Sequence, residues 1–459
     1  MTADTRDEVA AQRFHRRRLS AALLRGDLDS SAAPLARLGA GVYGGLAVTV
    51  LLLAVAGIIG VLRPGGSTAW QEPGAFVVDD DTGARYVYLD GVLHPILNYG
   101  SARLLLGDRL HVVTVSSASL AQAVRGPMIG IPLAPDSLPD AADIVGVDWS
   151  VCAVGRAADG ADLRTETRPG AVAAGSAVPD SDGYLVRTET GRTALIWSGR
   201  AHPVPDQWLE ALGYRNPEPI AVADSFVAAL PAGAPLAPVT IAGLGEPGPA
   251  LPGSLTPTIV GTVYADRTNA FYVMTRDGLA GLTPLQAQLL LADPALTAAY
   301  PGSSPTPLKV SQAQVSEAAP TPLPAADRTV AAAPATAPAL ATLPPGEQQM
   351  CVRYLGSAVT ELVAGPAEAT GAAATGSGPV RLAPGTGALI AEPAGADGTG
   401  ITVYLVTDAG IRYPLSGQRA LETLGLAGAP VARLPAELIA TLPVGPTLDP
   451  AAAAAPPAP

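Results

Sequence analysis

Cys152 and Cys351 are the two thiols of this 459-residue chain, and they stand 199 positions apart. A zinc cluster takes four ligands gathered in space, so a distant pair does not make one by itself. The four histidines, His15, His94, His111 and His202, are equally dispersed. His94 and His202 each stand directly before a proline, a repeated position that reads as structural, and His111 lies in an apolar run. Neither the G-x-S-x-G elbow of a serine hydrolase nor the H-E-x-x-H of a zinc protease occurs. Asp79, Asp81 and Asp90 echo a calcium loop, but Ala84 stands where that loop requires glycine, which leaves a hairpin-entry turn. A phosphate-cradling P-loop needs glycines leading into Lys-Ser/Thr, whereas the single lysine, Lys309, sits in SSPTPLKVSQ with no glycine beside it. The expectation is a scaffold protein with no catalytic residue, no metal and no cofactor, and so not an enzyme.

The elements that hold these residues begin at a membrane. Residues 38–62 carry no charge, and about 25 apolar residues exceed the roughly 20 that span a bilayer. Arg13, Arg16, Arg17, Arg18 and Arg25 precede the stretch, while Glu72, Asp79, Asp80 and Asp81 follow it. The positive side stays in the cytoplasm, so the bulk of the chain is expected outside the membrane, in the periplasm. A cleaved signal peptide after Ser67-Thr68-Ala69 is the alternative, but its apolar core would be far too long. Overall the chain carries a net charge of −12, with +2 on residues 1–37. So acidic a surface excludes nucleic acid as a partner, because duplex binding rests on releasing phosphate counterions with basic residues.

Residues 7–28, DEVAAQRFHRRRLSAALLRGDL, have helical composition with an acidic start that suits the helix dipole. Phe14 lies on one stripe, Leu19 and Leu23 on the opposite side, and arginines occur all round. That pattern fits a protein partner better than a lipid surface, and Phe14, Arg17, Arg18, Leu19 and Leu23 are the candidate contacts. The competing reading is a solvated arm that only sets orientation.

Beyond the span the chain repeats itself. Tyr86-Val87-Tyr88-Leu89-Asp90-Gly91 leads into HPILNYGSARLLLG, Leu195-Ile196-Trp197-Ser198-Gly199 into RAHPVPDQWLEALG, and Val403 to Gly410 into IRYPLSGQRALETLG. The pairs Gly91 and Pro95, Gly199 and Pro203, Gly410 and Pro414 keep one spacing. A divergent copy turns at Gly278 and has Leu282 in place of the proline. Aromatic and β-branched runs joined by such turns make hairpins, which the following leucine-rich helix covers. The tails DSFVAALPAG (224–233) and AELIATLPVG (436–445) also match, each a helix stopped by proline.

The expected fold class is α+β: one N-terminal transmembrane helix, then an elongated extracytoplasmic region with a central β-rich core and four small hairpin-plus-helix modules. The expected boundaries are 1–37 cytoplasmic arm, 38–62 span, 63–140 first module with linker, 141–193 first part of the core, and 194–250 second module. There follow 251–300 third module with core strands, 301–349 a Pro/Ala-rich linker, 350–400 second part of the core, 401–448 fourth module and 449–459 a disordered tail. Both cysteines fall outside the membrane in this topology, and an oxidising compartment favours their pairing over two buried free thiols.

In order and spacing, RFHRRRLSAALLRGD, RPGGSTAW, ARYVYLDGVLHPILNYGSARLLLG, GPMIGIPLAP, VCAVGR, ALIWSGRAHPV, FYVMTRDGLAGL and VYLVTDAGIRYPL resemble EccB, the single-pass core subunit of type VII (ESX) secretion systems of actinobacteria. The resemblance implies a disulfide between Cys152 and Cys351 and a place in a membrane complex. Its partners there would be an EccC-type ATPase, the EccD and EccE membrane subunits, a mycosin protease and further copies of itself. Linking cytoplasmic and periplasmic assemblies during export is the role it implies. Two other readings compete. One is a membrane-anchored peptidoglycan-binding module, with Tyr86, Tyr88, Trp197, Tyr272 and Tyr404 as stacking residues. The other is an ATPase, as the family has been described.

Overall fold

The computed structural model describes residues 4–25, 36–62, 67–155, 163–318, 323, 333–343, 348–355, 358–366, 380–392 and 402–457. Parts of the predicted arm helix, linker, core and tail (26–28, 319–322, 324–332, 344–347, 367–379, 393–400, 458–459) lie outside them. Contacts divide the chain into two compact units, one of residues 1–72, 77–84 and 113–123, the other of 73–76, 85–112 and 124–459.

The first unit holds helix α1 (Asp4–Arg25) and helix α2 (Ala36–Leu62). Of α2, side chains are described over residues 41–55 and at 57, all of them exposed. Among the described residues no helix is long and apolar enough to cross a membrane. In the same unit Asp79 closes a turn: its carboxylate accepts Ser117 Oγ at 2.7 and 2.8 Å and the Asp81 amide at 3.0 Å. The hydrogen bond from Ser117 holds that carboxyl below its ordinary value in spite of desolvation.

Along the chain, β1 (Ala75–Asp79), β2 (Arg85–Leu89), β3 (Val92–Pro95), α3 (Tyr99–Leu106), β4 (His111–Val115) and α4 (Ser117–Leu120) come first. Next are β5 (Trp149–Val154), β6 (Arg164–Pro169), β7 (Ser176–Ala177), β8 (Asp182–Thr188), β9 (Thr193–Trp197), β10 (Arg200–Pro203), β11 (Ile220–Val222) and α5 (Asp224–Ala228). Then come β12 (Val263–Ala265), β13 (Phe271–Thr275), β14 (Gly278–Leu282), α6 (Pro284–Leu291), β15 (Leu308–Lys309), α7 (Gln312–Glu317) and β16 (Ala339–Leu340). The chain ends with β17 (Gln348–Leu355), β18 (Ala358–Pro366), β19 (Gly387–Ala391), β20 (Val403–Thr407), β21 (Arg412–Pro414), α8 (Gln418–Thr423), β22 (Val431–Arg433), α9 (Ala436–Thr441) and α10 (Pro450–Ala453).

Four sheets share one order: β3-β2-β1-β4, β10-β9-β8-β11, β14-β13-β12-β15 and β21-β20-β19-β22. In the last three a strand from beyond the hairpin pairs parallel to the opening strand, as Ile220 does with Val186, Tyr264 with Leu308 and Leu389 with Val431. A fifth, central sheet runs β6-β5-β17-β18-β7. Its Met350, Val352 and Tyr354 build the main core with Val186 and Ile196 of the second sheet, Ala388 and Ile390 of the fourth, Phe226 of α5 and Ile439 of α9.

The sheets neighbour one another in an order that the chain does not follow. Leu104 of α3, beside the first hairpin, is buried with Leu389, Leu405 and Ala420 of the fourth sheet and its helix α8. Leu285 and Leu289 of α6, beside the third, are buried with Leu185 and Leu195 of the second. Within the second unit, packing therefore runs from α3 through the fourth, central and second sheets to α6.

Several expectations need correction. The strands β8 and β19, assigned to the central core, belong to the second and fourth sheets, because each pairs with the hairpin after it. The linker 301–349 is not merely irregular: β15 joins the third sheet, β16 joins β8, and α7 starts on a Ser311–Gln314 capping box that satisfies amide donors at both ends of the pair. The tail is not disordered over 450–453. There Asp449 accepts the Ala451 amide, α10 packs on α3, and Ala453 is buried.

Candidate functional site

The central sheet carries the disulfide. Cys152 and Cys351 are bonded, directly opposite one another on the antiparallel strands β5 and β17, with Cα atoms 4.0 Å apart. Opposed residues share a face, so the row through the bond reads Glu166, Cys152, Cys351, Val363. A neighbouring row reads Arg168, Ser150, Arg353, Glu361. One face of this sheet is thus apolar core and the other is polar around a covalent link. Residues 171–175 cross that polar face: Ser150 Oγ donates to Ala171 O at 2.9 Å, Ala173 N donates to Ser150 Oγ at 2.8 Å, and Arg353 donates to Ala173 O.

Glu166, with a side chain only 4% exposed, organises the charges of this face. Its oxygens accept Arg164 Nε, Arg168 Nη2 and Arg381 Nη2 at 3.0, 3.0 and 2.9 Å. Burial pushes its carboxyl up, and the hydrogen bonds from Arg168, Arg381 and Arg164 outweigh that and hold it below its ordinary value. Arg381 comes from the segment after 367–379, so the cluster ties that segment to β6, as does the Arg381 N to Thr167 O bond of 2.8 Å.

The turn residues differ in kind. Asp90 and Gly91 have φ of 48° and 85°, and Ser198 and Gly199 have 45° and 70°. Two successive positive φ values make the tight turn whose twist matches the flanking strands. At Gly410 the turn is one residue longer, closed by Thr407 N to Ile411 O at 3.1 Å. Gly278, with φ 133°, opens β14 immediately after its turn. Pro95, Pro203 and Pro414 each end the third strand of their sheet, facing Tyr86, Ala194 and Tyr404. Proline lacks the N–H that a further ladder bond would use, so the strand stops there.

Sequence reasoning missed what the residue before each proline does. After each helix the chain returns beside the third strand: Leu93 N donates to Val124 O, Ala201 N to Pro231 O and Arg412 N to Pro443 O. A glycine of the returning segment lies under the ring of the pre-proline residue, Gly126 under His94, Gly233 under His202 and Gly445 under Tyr413, so close that a Cβ would overlap the ring. In both histidines Nδ1–H donates onward, to Pro127 O at 3.0 Å and to Ala234 O at 2.9 Å. The third sheet has Gly281 at the ring position. The matched tails ending LPAG and LPVG held the signal, since their shared glycine is the one under the ring.

The remaining candidates lie on α1. Phe14, Leu19 and Leu23 are 54%, 61% and 84% exposed, and Arg17 and Arg18 are exposed with them. Of the candidate stacking residues Tyr86 is buried, with Arg125 over its ring at 5.5 Å, and Trp197 spends its indole N–H on Asp180 O at 2.7 Å.

Comparison with known proteins fixes the family. The family described as type VII secretion system ESX-1, transport TM domain B, matches residues 1–456. The ESX-3 secretion system ATPase EccB3 of Mycolicibacterium smegmatis is 29% identical across 97% of this chain and 89% of its own length. The ESX-2 secretion system ATPase EccB2 of Mycobacterium tuberculosis is 30% identical over 66% of this chain and 61% of its own length. The chain thus spans about three fifths of that relative. The fold is that of a chain in an intact ESX-5 inner membrane complex (TM-score 0.55, 23% identity, 98% of this chain and 95% of that one). It is also that of the EccB3 dimer from the ESX-3 core complex (TM-score 0.56, 24% identity, 83% and 100%). The relatives' names overturn one expectation, that of a chain which is not an enzyme: they are called ATPases. The physical fault lay in the inference, because a missing P-loop excludes one phosphate-binding architecture, while backbone amides in other turns also bind phosphate. With residues 1–456 matched and its fold shared, the chain belongs to the EccB family of type VII (ESX) secretion systems.

Proposed function

We propose that the chain is a subunit of a type VII secretion membrane complex that links the cytoplasmic and membrane machinery to a periplasmic assembly. The observation that carries this is the family match over residues 1–456, reinforced by fold likeness to chains of ESX inner membrane complexes. In this reading α2 is the span. Its 27 residues would extend about 40 Å, and the arginine cluster before it sets the N-terminus inside. The four sheets of one strand order are copies of a module, the central sheet joins them, and α1 offers Phe14, Arg17, Arg18, Leu19 and Leu23 to partner subunits. Those partners are an EccC-type ATPase, EccD, EccE and a mycosin, together with further copies of the chain.

The test is purification of the full-length chain in mild detergent from its own membranes, followed by mass spectrometry. Membrane subunits of the secretion system should co-purify, and Arg17→Ala with Leu23→Ala should reduce their recovery without disturbing insertion. Recovery of the chain alone would end the reading. The relatives' names support a second one, ATP hydrolysis. Phosphate release from Mg-ATP by the purified full-length chain, above that of a mock preparation, is its measure.

A further inference from the structure

We propose that His202 is an acid-sensitive catch: its neutral ring locks residues 230–236 against β10, and its protonation releases them. The inference rests on local geometry and is independent of the secretion role.

The ring is fully buried, with Gly233 beneath it and Trp197 beside it at 5.7 Å between ring centroids. Nδ1–H donates to Ala234 O, which fixes the tautomer and leaves Nε2 as an acceptor. Nε2 is buried and has no hydrogen-bond partner among the described residues. A proton added there would become a buried cation with nothing to donate to, so the protonated ring must swing toward water. Because Gly233 is packed under that ring, the swing unseats the segment. Its other holds on β10 are three backbone bonds, Ala201 N to Pro231 O, Gly233 N to Ala201 O and Leu236 N to Pro203 O.

Among the described residues no carboxylate acts on the ring. Arg200 and Arg187 lie on the same face of this sheet, and Arg187 is ion-paired to Asp206 at 2.9 Å. Asp180, ahead of β8, accepts Ser198 Oγ, and the Tyr214 hydroxyl donates to Pro338 O. Helix α6, strand β16 and the segment 230–236 carry no charged residue. Burial first, and then Arg200, depress the imidazole pKa, against the raising effect of the Ala234 carbonyl. A histidine lowered in the folded state leaves the lock complete above the ordinary value of about 6.5, and the lock weakens as pH falls below it. The fourth sheet is a control within the same molecule, since Tyr413 on Gly445 repeats the packing with a ring that takes up no proton in this range.

The experiment is amide hydrogen exchange on the full-length chain in detergent at pH 7.5 and 5.5, corrected for intrinsic rates. Protection of residues 230–236 should fall about tenfold, since pH 5.5 lies about one unit below the ordinary imidazole value at which a released ring takes up its proton, while 443–448 stays unchanged. In His202→Tyr the loss should vanish, with His202→Phe as the second variant should tyrosine not fit. Exchange at the His202 ring carbon reads its protonation directly in the unmodified protein. Equal protection at both pH values, a loss that persists in the variants, or a ring that titrates at or above the ordinary value would each overturn the proposal.

Discussion

The central sheet and the four smaller sheets solve the same problem by different means. The hairpin and returning strand of each small sheet close within a few tens of residues, and in the first, second and fourth a turn with positive φ and a glycine under a ring fix the register. The central sheet brings residues 149–177 against 348–366, a much longer closure, and it carries the disulfide and the buried arginine cluster on Glu166. Loop-closure entropy grows with the length closed, so covalent and ionic ties are found where the chain has farthest to return.

That contrast can be broken most forcefully at the disulfide. In the chain-entropy model, linking residues 199 apart stabilises by about 5 kcal/mol. Cys351→Ser should therefore open β17 and β18 to hydrogen exchange while the second and third sheets keep their protection. Simultaneous opening of every sheet would erase the distinction. Next in size is Glu166→Gln, which removes the buried negative charge shared by Arg164, Arg168 and Arg381 and should cost about 3 kcal/mol in denaturant melts. The same tie depends on pH. A carboxyl held low contributes fully above its ordinary value of 4.5, and that contribution is lost as pH falls beneath it, so the wild type and Glu166→Gln should converge in acid.

Within the small sheets, Gly233→Ala forces a methyl into the fully buried His202 ring and should cost about 2 kcal/mol. Gly126→Ala meets His94, which is only half-buried and can give way, so a smaller loss there would sharpen the point. Equal losses at both positions would show that ring burial is irrelevant. Smallest of all, truncation after Leu448 removes α10 and the buried Ala453. It should cost on the order of 1 kcal/mol, read as lost protection at α3, α8 and the Gly130 amide, whose acceptor is Ala455 O.

Much of this was legible in the sequence because it is local. Glycines at 91 and 199, prolines at 95, 203 and 414, and the alternation of Tyr86, Tyr88 and Tyr404 follow from turn chemistry and strand periodicity. The cysteine pair was legible from compartment and count. What escaped is non-local. Strands β15 and β16 are two residues each in a proline- and alanine-rich stretch, and they are ordered by pairing with β12 and β8 rather than by any propensity of their own. Helix α10 read as a disordered tail because four residues of proline and alanine gain helical order only from the surface of α3. ATP hydrolysis was set aside on a motif, and a motif speaks for one way of holding phosphate.

The packing order of the sheets also constrains biogenesis. A chain made from its N-terminus presents α3 hundreds of residues before Leu389, Ala420 and Ala453, which complete the burial of Leu104 that Ile131, Ala134 and Ile144 begin. Until α10 has been synthesised, the apolar side of α3 is only partly covered, by residues 131–144 and then the fourth sheet, so a part of this unit made early is completed last. A molecule cut short before the fourth sheet would display that half-covered leucine face to whatever quality control patrols the compartment.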